Sequence, residues 1–218
     1  MSPRMPSRPL FLGHRGARAI KSIPENTLPS FDRALADGCD GFEFDVRLTR
    51  DRQAVICHDP KLRKLEVART EFSRLEPMPR LPEVLVRYGG CFLDIELKVP
   101  GIEQILLEAL KQHQPRLFVV SSFLPEVLRA IYQMDRTIPL GLICETRAQF
   151  HLWVDLPVQY VMPQRKLITQ QLISALHTSG KKVFAWTVND AKEMKRLAGW
   201  NVDGIISDDT KLLARTLG

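Results

Sequence analysis

Short apolar runs rich in strand-forming residues alternate with amphipathic stretches along the chain. The runs are LFLGH (10–14), FEFDV (42–46), CFLDIEL (91–97), LFVVSS (117–122), LGLIC (140–144), QYVM (159–162), KVFAWTV (182–188) and DGIISD (203–208). Between most of them apolar residues recur at the spacing of one helical face, as in Leu28–Phe31–Leu35, Ile105–Leu106–Ala109–Leu110, Val127–Leu128–Ile131 and Leu172–Ile173–Leu176. Pro125 opens one of these helices, and Gly38 and Gly180 close others. Strand and helix in strict alternation predict parallel βαβ units.

One run breaks the alternation. QAVICHD (53–59) follows FEFDVRLT after only a short polar turn. So short a connection joins antiparallel strands, because a parallel crossover needs a dozen or more residues. It is therefore read as a hairpin return after the second strand. The remaining eight strands predict a closed (β/α)8 TIM barrel. The competing open, doubly wound sheet would carry a Gly-rich first turn, which is missing. Residues 60–80 show neither period and are expected to form a short, charged, mobile insertion above the barrel. The whole of 1–218 is read as one domain, with MSPRMPS and its flank as a disordered lead lacking the apolar core of a signal peptide.

Composition narrows the class. A hydrophobic content of 44% over 218 residues suits a globular chain with a sizeable core. No run approaches the ~18 apolar residues of a membrane span, so no stable membrane insertion is expected. The net charge is +6, but the arginines and lysines are dispersed and make no nucleic-acid stripe. Cysteines 39, 57, 91 and 144 form no CxxC pair, and are read as free thiols of a cytoplasmic protein.

The polar residues fall at strand ends. Period two puts Glu43 and Asp45 on one strand face and Phe42 and Phe44 on the other. It likewise groups Asp94, Glu96 and Lys98. The outer face of a barrel packs on helices, so the acids must point inward, toward the C-terminal end where such barrels carry chemistry. Converging carboxylates repel unless a cation intervenes, and hard oxygen donors suit Mg²⁺ or Ca²⁺. The same acids could instead form internal salt bridges with Arg15 and Lys98. His14 and His58 reach the same rim. Either alone would be read as a hydrogen-bonded core residue; together they suggest acid–base work. Zinc ligation lacks an HxH or HExxH spacing. Arg15 and Lys98 can hold an oxyanion. Trp186 could wall the pocket or belong to the core. His113, His151 and His177 lie on helical stretches and are read as surface residues.

The segments HRG (14–16), PENT (24–27), EFDVRLTRD (43–51), HD (58–59), ELK (96–98), SSF (121–123), AWTVN (185–189) and VDGIISDD (202–209) together resemble the glycerophosphodiester phosphodiesterases, in the same order and over nearly the whole chain. The resemblance implies a (β/α)8 barrel that hydrolyses small-molecule glycerophosphodiesters to an alcohol and sn-glycerol 3-phosphate with a divalent cation. It implies His14 and His58 as the acid–base pair, Glu43, Asp45 and Glu96 as metal ligands, and Arg15 and Lys98 as phosphate-binding cations. Glu25 and Asn26 would brace the site from behind. Two departures stand out: the loop between HRG and PENT is slightly long, and the segment after His58-Asp59 is short and lacks the family's Gly/Thr-rich pattern. An open wall on the alcohol side follows. A lysophospholipase D-type activity and a non-catalytic anion-binding module are the alternatives.

Overall fold

The structure, a computed structural model, describes residues 8–218; the lead proposed for the first residues lies outside them. Its first half comprises β1 (Leu10–His14), α1 (Leu28–Ala36), β2 (Gly41–Leu48), β3 (Ala54–Ile56), β4 (Lys61–Leu62), β5 (Leu65–Glu66), α2 (Leu81–Tyr88), β6 (Phe92–Leu97) and α3 (Glu103–His113). The second comprises β7 (Leu117–Ser122), α4 (Pro125–Met134), β8 (Leu140–Cys144), α5 (Arg147–His151), β9 (Tyr160–Pro163), α6 (Gln170–Thr178), β10 (Lys182–Ala185), α7 (Ala191–Gly199), β11 (Gly204–Ser207) and α8 (Thr210–Leu217). Strands β1, β2, β6, β7, β8, β9, β10 and β11 pair in parallel in that order, and β1 closes on β11. This is the expected (β/α)8 barrel. The return strand β3 pairs antiparallel with β2, Val46 opposite Ile56.

The period-two reading of β2 holds in three dimensions. Phe42 and Phe44 point outward into an aromatic cluster with Phe31 of α1 and Tyr88 of α2. Phe31 and Phe42 stack at 4.1 Å, and Tyr88 meets Phe42 edge-on at 5.1 Å. Each fully buried aromatic is worth roughly 1.5–3 kcal/mol, enough to fix the strand's face. Glu43 and Asp45 consequently point inward. Parallel pairing then aligns β2 with β6, setting Glu43 opposite Asp94 and Asp45 opposite Glu96. Lower in the barrel, side chains such as Leu10, Leu12, Phe92, Tyr160 and Phe184 fill the interior. The barrel is thus a packed apolar plug under a charged rim.

Helix ends follow local chemistry. Thr27, Thr169, Asp190 and Asp209 each accept a hydrogen bond from a first-turn backbone N–H. Pro125 is the first residue of α4, and Gly38 and Gly180 take left-handed backbones just past α1 and α6.

Residues 60–80, in which neither strand nor helix period is legible, are more regular than expected. They carry the β4–β5 hairpin and 3-10 turns at Val67–Arg69 and Phe72–Arg74. Val67, Leu75 and Met78 pack on Val55 and Cys57 as a small apolar cluster. The apolar residues ride on successive turns, so no single period reveals them. All four cysteines are unpaired. No helix among the described residues is long and apolar enough to cross a membrane.

Candidate active site

The C-terminal end of the barrel opens into a cavity of ≈ 280 Å³ lined by His14, Arg15, Glu43, His58, Asp94, Glu96, Lys98 and a wall that includes Phe123, Glu145 and Trp186. Glu43, Asp45 and Glu96 each offer an oxygen within 4.8 Å of the others. Lys98 Nζ donates to Glu96 at 2.6 Å and lies 3.2 Å from Asp45 Oδ1. Arg15 Nε lies 3.2 Å from Asp45 Oδ2, and its Nη1 donates to Glu25 at 2.7 Å. Neither contact to Asp45 has hydrogen-bond geometry, so Asp45 Oδ1 and Arg15 Nε, like Glu43 Oε1 and Asp94 Oδ2, are buried without a hydrogen bond. Asn26 holds Asp45 from behind, donating at 2.8 Å to Oδ2 and accepting from the Asp45 N–H.

Four buried carboxylates here face two cations, and their proton affinities show the strain. Burial, then the charges of Asp45 and Glu96, push Glu43 well above the usual carboxylate range. Burial and Asp45 raise Glu96 to about 8 against the pull of Lys98. Burial raises Asp94 to about 7, although Ser121 donates to it at 2.6 Å. Asp45 alone is lowered: burial opposes its charge, but Lys98, Arg15 and Asn26 outweigh burial. Such a set is stable protonated, or neutralised by a cation. Oxygens without hydrogen bonds, hard in character and gathered within one ion's reach, fit Mg²⁺ or Ca²⁺.

Both rim histidines are held by carboxylates. His14, at the end of β1, has Nδ1 2.7 Å from Asp208 Oδ1, while its Nε2 lies 3.9 Å from Glu43. A carboxylate partner places the proton on Nδ1 of the neutral ring and leaves Nε2 for the cavity. Asn189 donates to Asp208 at 2.7 Å, and Arg18 lies 3.3 Å away. Burial pushes Asp208 up, but His14, Asn189 and Arg18 together hold it well below the usual range. His58 Nδ1 lies 2.8 Å from Asp59, and Arg47 donates to its carbonyl at 2.8 Å. Burial lowers the His58 imidazole against Asp45 and Asp59.

The HRG and PENT segments interlock behind these groups. Arg15 and Asn26 take left-handed backbones, which non-glycine residues adopt at a cost. Gly16 is also left-handed, and a Cβ there would meet Ser30 Oγ at 2.4 Å. Ser30 fills that space, donating to the Arg15 carbonyl and accepting from Ala17 N–H. The Arg15 N–H in turn donates to Glu43 at 2.9 Å. Across the cavity, Trp186 donates its indole N–H to the Met162 carbonyl at 2.7 Å and meets Phe123 edge-on at 5.6 Å. Trp186 thus packs into the apolar wall and lines the cavity.

Residues 14–87 and 91–212 match the model of the glycerophosphoryl diester phosphodiesterase family. The chain belongs to this family. Membership makes it a phosphoric diester hydrolase. A glycerophosphodiester phosphodiesterase of Caldanaerobacter subterraneus subsp. tengcongensis is 31% identical over 94% of this chain and 96% of its own length. One from Bacillus altitudinis is 29% identical over 89% and 92%. A phosphodiesterase of Oleispira antarctica, solved in complex with its product sn-glycerol-3-phosphate, superposes with a TM-score of 0.85, 26% identity and 96% coverage of each chain. The glycerophosphodiester phosphodiesterase of Thermotoga maritima, 23% identical, shares the fold with a TM-score of 0.84 over 96% of this chain and 99% of its own.

For this family member, the residues singled out in the sequence converge. His14, Arg15, Glu43, His58, Glu96, Lys98 and Trp186 all line one cavity, with Asp45, Glu25 and Asn26 directly behind them. Four contributors were not assigned roles: Asp208, Asn189, Asp59 and Phe123. Each lies inside a motif quoted above, and its contacts with the site are displayed by the folded chain. His113, His151 and His177 are remote from the cavity; His177 bonds Asp203 at 2.8 Å.

Proposed function

We propose that this chain hydrolyses glycerophosphodiesters to an alcohol and sn-glycerol 3-phosphate, with Mg²⁺ or Ca²⁺ held by Glu43, Asp45 and Glu96 and with His14 and His58 as the acid–base pair. The supporting observation is the convergence of two carboxylate-held imidazoles, a buried acidic trio and two cations on one cavity. The bound ion would supply charge neutralisation at the phosphate oxygens. Arg15 and Lys98 add fixed positive charge where the transition state gathers negative charge. One imidazole takes a proton from the attacking hydroxyl as its oxygen bonds to phosphorus. The other gives a proton to the alkoxide as the P–O bond breaks. Asp208 and Asp59 hold the two rings in place. The attacking oxygen belongs to water, which gives sn-glycerol 3-phosphate directly, or to the glycerol 2-hydroxyl, which gives a cyclic phosphate that a water then opens by the reverse proton transfers; early trapping of the cyclic phosphate distinguishes them.

The test is a panel of glycerophosphodiesters assayed with Mg²⁺, Ca²⁺ and EDTA. Metal-dependent release of sn-glycerol 3-phosphate by the wild type, lost in His14→Ala and His58→Ala, supports the reading. No turnover of any diester with any cation would leave the anion-binding alternative. A second reading has its own observation: an apolar groove of ≈ 550 Å³, lined by residues that include Leu28, Pro29, Phe72 and Met78, runs beside the 60–80 insertion and could take an acyl chain. Choline release from lysophosphatidylcholine at a rate comparable to that from glycerophosphocholine would favour lysophospholipase D-type activity.

A further inference from the structure

We propose that Glu145, flanked by Phe123 and Trp186, selects diesters whose leaving alcohol carries a positive charge. The inference rests on the diesterase reading above. The cavity is polarised. Arg15 and Lys98 stand on the side of β1, β2 and β6, and Glu145 stands across from them, just past β8. Glu145 is exposed, and its side-chain donor among the described residues is the Gln164 amide at 3.3 Å. Gln164 follows β9, the strand between β8 and β10, and its backbone bridges Trp186, so Glu145 and Trp186 stand on the two strand ends either side of it. Arg165, which follows Gln164, is paired with Glu193 at 2.5 Å.

The rest of this wall offers a substrate little hydrogen bonding. The Trp186 N–H is spent on the Met162 carbonyl, and Ile143 and Met162 are apolar. A polyol would find few partners here. A quaternary or primary ammonium finds aromatic rings and an opposite charge, the combination that attracts organic cations. A phosphate held near Arg15 and Lys98 with an ammonium near Glu145 places a zwitterion along the cavity's own dipole. The short 60–80 segment leaves this side open, since none of its residues lines the cavity.

The test uses equilibrium binding, so that it stands whether or not the diesters are turned over. Full-length His14→Ala protein is titrated in Mg²⁺ or Ca²⁺ with glycerophosphocholine and with glycerophosphoglycerol, whose leaving alcohol is neutral. The choline diester should bind about five- to tenfold tighter, the scale of a partly desolvated cation–π and charge contact. Adding Glu145→Gln should remove most of that advantage, and adding Glu145→Lys should reverse it. Equal affinities for the two diesters, or an equal loss for both on Glu145→Gln, would overturn the proposal; the latter would mean that the carboxylate holds the glycerol half. Absence of turnover by the wild type would contradict the hydrolase reading alone, because the binding ratio still decides the role of Glu145.

Discussion

The mouth of the barrel has two unlike halves. On the side of β1, β2, β6 and β11, almost every side chain is charged and cross-braced: His14 on Asp208, Asp208 on Asn189, Arg15 on Glu25, Asn26 on Asp45, Lys98 on Glu96. On the side of β7 to β10 the lining is Phe123, Ile143, Met162 and Trp186, with Glu145 as its acid. The first half concentrates like charge in a buried space and holds it rigidly, which is what transition-state stabilisation requires. The second is apolar and sparsely bonded, which suits discrimination among organic groups. Changes in the first half should therefore act on kcat, and changes in the second on KM and on preference.

The largest effect should come from emptying the acidic trio. Chelation by EDTA, or Asp45→Asn, should lower kcat/KM on the order of a thousandfold, matching the several kcal/mol that a metal contributes to a phosphoryl transition state. Steady-state assays with metal add-back check this. His14→Ala should cost less, about a hundredfold in kcat, the lower end of the usual range for one acid–base group. Asp208→Asn should cost less than His14→Ala if Asp208 acts only by holding the ring, and stopped-flow single-turnover rates would rank the two.

A third expectation concerns stability and pH. In the metal-free protein Asp94 and Glu96 titrate near 7 and 8, above their ordinary values of 3.8 and 4.5. As pH rises from about 4.5 to 8, the unfolded chain has already lost these protons while the folded chain still binds them. The stability of the metal-free form should therefore fall with rising pH across that window, having been fully present below it. Mg²⁺ at a hundred times its Kd should add about 2.7 kcal/mol. With the Mg²⁺ concentration held fixed at that set for pH 8, protons compete with the ion more strongly at lower pH, so thermal melts of apo and loaded protein from pH 5 to 8 should show the gap between them widening with pH. A gap that narrows would contradict the strained-acid picture. The smallest effect belongs to the apolar half: Trp186→Leu should raise KM about five- to tenfold with little change in kcat, the scale of a lost aromatic contact. A larger loss in kcat would mean that the two halves are not functionally separable.

Much of this was legible in the chain itself, for a physical reason. Regular strands impose period two, so acids at 43, 45, 94 and 96 alternating with Phe44, Ile95 and Leu97 announce an inward charged face. The short turn before Gln53 identifies an antiparallel return by chain length alone. Asp208, Asn189 and Phe123 carry no such pattern, being single residues at strand ends whose partners are up to 194 positions away. The insertion escaped for a different reason. Val67, Leu75 and Met78 form an apolar cluster through turns, and turns have no repeat to detect.

The most direct measurement is a crystal structure grown with Mg²⁺ or Ca²⁺ and sn-glycerol 3-phosphate. The account predicts one cation bonded to Glu43, Asp45 and Glu96 at roughly 2.0–2.6 Å, with the phosphate against it and both His14 and His58 within hydrogen-bond reach of the phosphate oxygens. A product bound elsewhere, or a cation that leaves this trio empty under conditions where the enzyme is active, would contradict it.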